Sequence, residues 1–212
     1  MQWVMLILWC ALARYGAGPG RRRLTALVLC CGLGLSMGCQ LYLLYLDDQL
    51  SLQTGLPLHL CGLSALLCIA LCIRFHQPVF EFLLLLGLPG ALLALCFPAV
   101  AASSCPQLMK AAFLRLHVLI AATAVFLLAQ QKPPPEDPRR AFLLGNGFVL
   151  MAALANQLTG SNYFFLRAAP AGTPLAFLIR PGYGVYLASL EILSMLLMQQ
   201  LCRLYRRLYL RK

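Results

Sequence analysis

The chain has 212 residues, 61% of them hydrophobic and 11% charged, whereas an average soluble domain carries roughly 45–50% and 25%. A soluble core of this size cannot hide that much apolar surface, which excludes a disordered chain, a coiled coil, a collagen-like repeat and an ordinary cytosolic enzyme. The formal charge of +11 comes from 17 Lys and Arg against 6 Asp and Glu. These cations lie between and after apolar runs without an aromatic–basic motif, which points to membrane orientation and excludes a nucleic-acid partner.

Seven apolar segments follow in chain order: Gln2–Ala13, Leu24–Leu46, Leu58–Ile73, Val79–Phe97, Ala111–Ala129, Ala141–Thr159 and Tyr183–Leu201. A membrane core takes about 20 helical residues. Five segments satisfy this, the third is slightly short and the first is plainly short. The first segment lacks the basic leader of a signal peptide, because its first cation, Arg14, follows the apolar run. It is read as a thin or tilted first helix. Breaks fall at Gly16-Ala17-Gly18-Pro19-Gly20, Gln77-Pro78, Phe97-Pro98 and Pro133-Pro134-Pro135. With no internal repeat, residues 1–212 form a single transmembrane helical domain. The predicted fold is an all-α, polytopic helix bundle of about seven helices.

Seven spans place Arg14, Arg21, Arg22, Arg23, Arg74, Lys132, Arg139, Arg140, Arg203, Arg206, Arg207, Arg211 and Lys212 on one side. Lys110, Arg115, Arg167 and Arg180 fall toward the other. The cation-rich side is cytoplasmic by the positive-inside rule. The N-terminus is therefore expected outside and the C-terminus inside, with Asp47 and Asp48 in an outer loop. The C-terminal cluster from Arg203 onward reads as a headgroup-binding stop signal.

An ionisable group at membrane depth is costly and marks a site by default. The candidates are His59 and Cys61 at the start of the third segment, His117 near the start of the fifth, Asn156 and Gln157 at the end of the sixth, Asn162 and Tyr163 just beyond it, and Glu191 in the seventh. On the expected topology all share the outer half of the bilayer, although they come from separate segments. Helical spacing puts Cys61, Ser64, Cys68 and Cys72 on one face and turns His59 away from Cys61. His117 can reach Cys61 only from across the bundle. Arg115 points away from His117 and is expected to snorkel to the outer headgroups. Tyr163 and Asn162 also suit interfacial anchors, and Glu191 suits pairing with Arg180 or a histidine. Glu81 is expected at the cytoplasmic start of the fourth helix.

Ten cysteines suggest a disulfide framework until they are placed. All but Cys105 fall in or beside apolar runs, with no CxxC pair and no zinc spacing. They read as small packing residues.

Leu56-Pro57-Leu58-His59-Leu60-Cys61, Phe80-Glu81-Phe82 and Leu86-Gly87-Leu88-Pro89-Gly90-Ala91-Leu92 with Pro98 resemble the YwaF-like integral membrane family, whose eukaryotic relatives are the transmembrane protein 164 group. His117, Asn162-Tyr163-Phe164-Phe165-Leu166 with Pro170, and Leu190-Glu191 extend the resemblance over about residues 20–195. The eukaryotic relatives are regarded as phospholipid acyltransferases that use a cysteine. The fold is similar, more distantly, to the androgen-induced-protein hydrolases, with their threonine nucleophile and histidine partner. The resemblance implies Cys61 as nucleophile and His117 as base. Leu116, Val118 and Leu93 depart from the residues expected beside the family's histidine and in its fourth helix, which implies an altered substrate or lost activity.

The leading expectation is intramembrane acyl transfer or ester hydrolysis on phospholipid or fatty-acyl substrates. His59, Asn162, Tyr163 and Glu191 would support the Cys61–His117 pair, with no metal and no cofactor. The bacterial cytoplasmic membrane is the expected location. A transporter or small-molecule receptor with a polar cavity is the alternative. Metal or haem binding by His59 and His117 is a third reading, without ligand spacing to support it.

Overall fold

Inside hydrocarbon, backbone N–H and C=O groups must find partners within the chain, and a helix supplies them all within one segment. The computed structural model shows that solution at every apolar stretch. It describes residues 2–130, 132–133, 135–169 and 182–209. Pro134, Pro170, Arg180, Arg211 and Lys212, all used in the sequence reading, lie outside the described residues.

The described residues form seven helices and no strand: α1 (Gln2–Gly16), α2 (Arg22–Leu46), α3 (Leu60–Ile73), α4 (Gln77–Cys96), α5 (Pro106–Ala129), α6 (Arg139–Thr159) and α7 (Tyr183–Tyr209). Five of them, all except α1 and α3, are long and apolar enough to cross a membrane. The 15 residues of α1 and 14 of α3 rise about 22 and 21 Å at 1.5 Å each, less than a hydrocarbon core of about 30 Å. The helical membrane bundle expected from composition is thus the observed fold.

Several helices outrun their apolar segments. Hydropathy marks only the stretch in hydrocarbon, whereas a helix continues into polar interfacial residues until a backbone signal stops it. Thus α5 begins at Pro106, five residues before the apolar run, because proline at the first helical position loses no hydrogen bond. This moves His117 from the start of its helix to the middle, which corrects the expected depth.

In α4, Leu83–Gly87 widens into a π-turn, and the Leu88 N–H reaches five residues back to the Leu83 carbonyl. Pro89 supplies the physical cause. Its ring would collide with the carbonyl four residues earlier, at Leu85, and it has no N–H to donate. A wider turn relieves both problems without breaking the helix. Glu81, expected at the helix start, sits a turn further in and is buried, with Gln77 Nε2 donating to it at 3.0 Å.

The centre of the bundle is α5, against which α1, α2, α3 and α4 all pack. Its buried residues include Leu116, Ile120, Ala121, Ala122 and Ala124. The alanines let neighbouring backbones approach closely, as helix pairs in lipid require. On the outside of this group, α6 packs on α4, and α7 meets α4 at the π-turn.

Hydrogen bonds sort the loops into two ends. At one end Asp47 accepts from the Ser104 N–H at 3.1 Å, Gln53 Nε2 donates to Thr159 O at 2.8 Å, and the Leu56 N–H donates to the Tyr163 hydroxyl at 3.1 Å. Hydrogen bonds from Ser103 and Ser104 hold the Asp47 carboxyl below the usual carboxylate range. At the other end Gln77 Nε2 donates to Pro133 O at 3.1 Å and Arg206 to Glu136 O at 2.6 Å. The pairings join the loops after α2, α4 and α6 on one side, and the loops after α3 and α5 with the end of α7 on the other. The loops from α2 onward thus alternate between the two ends of the bundle. A fluorescent or enzymatic reporter fused after Lys212 is expected to be active only in its cytoplasmic form; activity of an exported reporter there would invert the orientation.

Candidate functional site

The outer rim is organised by Asn156, near the end of α6. Gly160, with φ +76, closes that helix in the left-handed conformation glycine tolerates best. The chain then doubles back so that buried Asn156 clasps its own loop. Its Oδ1 accepts from the Tyr163 N–H at 2.7 Å and from Ser161 Oγ at 2.8 Å, while its Nδ2 donates to Tyr163 O at 3.0 Å. Phe164 and Phe165 follow with φ +56 each. Non-glycine residues pay roughly 1–2 kcal/mol for that region, so the loop holds a strained shape.

The strained turn delivers side chains to His59. The Tyr163 ring meets His59 edge-on at 5.0 Å and the Phe165 ring lies 5.3 Å away. Tyr163 is fully buried, not an interfacial anchor. Its hydroxyl donates to Leu52 O at 2.8 Å and accepts from the Leu56 N–H. Burial pushes this phenol's pKa up, so it keeps the proton that the Leu52 bond needs. Tyr186 Oη donates to Phe165 O at 2.8 Å and ties α7 to the same turn. His59 Nδ1 is buried among these rings without a hydrogen-bond partner.

Beneath the rim lies a second group, inside the bundle. His59 ends the loop and caps α3 with its backbone only, since no side chain bonds the helix N-terminus. The N–H groups of Leu60, Cys61 and Gly62 precede the first intrahelical bond, from the Leu63 N–H to His59 O, and those of Cys61 and Gly62 turn to the Cys61 thiol. Half-buried Cys61 packs on the core cluster that holds Ala65, Cys68, Leu116 and Ile120. One turn further along α3, Ser64 is buried with an unpartnered Oγ. A Cβ added at Gly87, at the end of the α4 π-turn, would come within 2.9 Å of that oxygen.

His117 is fully buried on α5, its ring 4.2 Å from Phe113. Its Nδ1 lies 2.7 Å from Phe113 O. A carbonyl oxygen can only accept, so Nδ1 carries the proton. In the neutral ring Nε2 is then a bare lone pair, and this Nε2 is buried without a partner. Cys68 meets Thr123, and α3 and α5 run in the same direction. Cys61 packs on the core cluster that holds Leu116, the residue before His117. No hydrogen bond joins Cys61 Sγ to His117 Nε2 in this structure.

The remaining candidates lie elsewhere. Asn162 folds its own loop, accepting from the N–H groups of Arg167 and Ala168 and donating to Ala168 O at 2.9 Å. The Glu191 side chain, half-buried on α7, makes no hydrogen bond or ion pair among the described residues, and its expected partner Arg180 lies outside them. Arg115 does not snorkel outward. Its Nε donates to Ser36 Oγ on α2 at 3.0 Å, because a hydroxyl at the same level is nearer than the headgroups. A cavity of about 250 Å³ opens at the opposite end, lined by residues of the Glu136–Pro138 loop and α7, and includes none of the candidates.

The sequence reading passed over the role of Ser64, which appeared only as part of a cysteine stripe, and the π-turn facing it. Pro89 two residues beyond Gly87, inside an apolar run, was the available signal. All ten cysteines are free thiols, and no group of three or more His, Cys, Asp or Glu among the described residues is placed to hold a metal ion.

No curated protein and no solved structure matches the chain. A family model does, across residues 1–201, a stretch that contains the His59–Tyr163 rim, Cys61, the buried His117 and all but the last turns of α7. By that match, and as a multi-pass helical membrane protein, the chain belongs to the TMEM164 family.

Proposed function

We propose that the chain is an intramembrane acyltransferase or lipid esterase with Cys61 as nucleophile and His117 as base, acting on phospholipid or fatty-acyl esters. The observation that carries this reading is the bare, buried Nε2 of His117. Leaving a buried polar atom unpaired costs about 1–3 kcal/mol. A packing histidine would have no reason to bear that cost, whereas a general base must keep its lone pair free. The Phe113 carbonyl fixes the tautomer, the task an acid performs in other triads.

In this mechanism Nε2 takes the Cys61 proton, and the thiolate attacks the ester carbonyl. The tetrahedral oxyanion is met by Ser64 Oγ, whose hydroxyl has no other partner. The imidazolium returns its proton to the leaving lysolipid alkoxide, which leaves a thioester on Cys61. A lysolipid hydroxyl or water, deprotonated by Nε2, releases the acyl group. His59, Tyr163 and Phe165 cover the outer approach, and Asn162 and Glu191 shape the rim. Kinship with the YwaF-like proteins and placement in a bacterial cytoplasmic membrane belong to the same reading.

An acyl-chain-bearing electrophile added to native membranes is expected to label Cys61, and His117→Ala to remove most of that labelling while the protein stays folded. Cys30, Cys68 and Cys96 are expected to remain unlabelled. Equal labelling with and without the imidazole would remove His117 from the chemistry.

A further inference from the structure

Two thiols from different helices meet at the end of the bundle opposite the His59 rim. Cys72 stands in the last turn of α3, just before exposed Ile73 and Arg74. Cys30 lies eight residues into α2, about 12 Å along its axis, and α2 packs on α3. The Cys30 thiol donates to Ile69 O on α3 at 4.0 Å, and its sulfur accepts from the Cys72 thiol. Ile69 is one turn back from Cys72, so both contacts place Cys30 over the same part of α3. Both thiols are half-buried, whereas Cys68 is buried and turned to Thr123 on α5.

Geometry favours bonding across the seam over bonding along one helix. A disulfide needs Cβ atoms about 3.5–4.5 Å apart. Cys68 and Cys72, one turn apart on α3, hold theirs about 5–6 Å apart, and a rigid helical turn does not close that gap. Cys30 and its neighbour Cys31 diverge around α2, and Cys31 is exposed. Cys61 stands eleven residues from Cys72, about 16 Å along α3. Two sulfurs already in hydrogen-bond contact between two helices need only small side-chain rotations.

We propose that Cys30 and Cys72 form a peroxide-responsive dithiol that closes to a disulfide and clamps α2 to α3. The Cys30 sulfur attacks one oxygen of hydrogen peroxide. The O–O bond breaks, and the departing hydroxide takes the Cys30 proton, leaving water and a sulfenic acid. The Cys72 sulfur then attacks the Cys30 sulfur. The S–O bond breaks, and the released hydroxide takes the Cys72 proton as a second water. Two thiols lose two electrons and one peroxide gains them. A small thiol reverses the bond by exchange. Neither cysteine takes part in the proposed acyl chemistry, so the modification stands apart from it.

The test uses the full chain in native membranes exposed to hydrogen peroxide. Remaining thiols are blocked with N-ethylmaleimide under denaturing conditions, and the protein is digested and read by mass spectrometry without reductant. A peptide pair joining Cys30 to Cys72, lighter by two hydrogens than the separate peptides, is expected as the main linked species. Both maleimide adducts should fall in step with it, and dithiothreitol should restore them, while Cys68 keeps its adduct throughout. Cys72→Ser is expected to abolish the link, and Cys68→Ser and Cys61→Ala to leave it unchanged. If Cys72→Ser fails to fold, Cys30→Ser makes the same comparison. Absence of the Cys30–Cys72 peptide at peroxide doses that oxidise exposed Cys105 would overturn the proposal. So would a main link from either residue to another cysteine, or loss of the link in the Cys61→Ala chain, which would trace the oxidation to the ester site.

Discussion

Replacing Cys61 with Ala is expected to abolish ester turnover, and replacing His117 with Ala or Gln to lower it about 10²–10⁴-fold, the range one positioned base contributes. That loss equals roughly 2.7–5.5 kcal/mol of barrier. Cys61→Ser should also be severely impaired, because generating an alkoxide is far harder than generating a thiolate. Residues acting as one unit give non-additive losses. The double Cys61→Ala, His117→Ala chain should therefore be no worse than Cys61→Ala alone. Purified protein assayed on a panel of phospholipids, with released fatty acid and transferred acyl chain both quantified, reads all five variants. Full turnover in the Cys61→Ala chain would place the nucleophile elsewhere. Ser64, one turn away with a free hydroxyl, would be the next residue to replace.

Asn156→Ala should be the most destabilising single change at the outer rim. The side chain makes three hydrogen bonds, two of them to the backbone of Tyr163. Its loss leaves a buried N–H and a buried C=O without partners at about 1–3 kcal/mol each, and frees the strained Phe164–Phe165 turn to relax. A total near 3–5 kcal/mol is expected, in the class of broken buried networks. Tyr163 would then lose its hold on Leu52 and Leu56, and His59 its ring contact. Thermal unfolding in detergent, together with proteolysis of the loop after Thr159, measures both effects. Asn156→Asp keeps the oxygen that accepts from Tyr163 and Ser161 but loses the donor, and should fall between wild type and alanine. An alanine variant within about 0.5 kcal/mol of wild type, the range of ordinary surface changes, would show that the clasp contributes little.

Membrane helices were legible in the sequence because the bilayer imposes one rule on every segment. An apolar stretch of sufficient length must be a helix, whatever its neighbours do. Hence the seven segments and the short α1 followed from hydropathy and spacing, whereas of the ten cysteines only Cys68 and Cys202 are buried, and Cys31, Cys96 and Cys105 are exposed. The boundaries of α5 and α7 did not follow, since hydropathy does not register where a helix continues into the interface. His117 consequently sits mid-helix, deeper than its place in the apolar run suggested.

What only the tertiary structure decided are the relations between helices and loops. That Asn156 clasps Tyr163, that Tyr163 rather than Asn162 reaches His59, and that Arg115 turns to Ser36 on α2 all depend on groups far apart in sequence. Each polar group inside the bilayer takes the nearest partner of the right kind, and packing determines which partner that is. The π-turn in α4 lies between these cases. Pro89 signals some distortion from the sequence alone, but its position opposite Ser64 depends on how α3 and α4 pack.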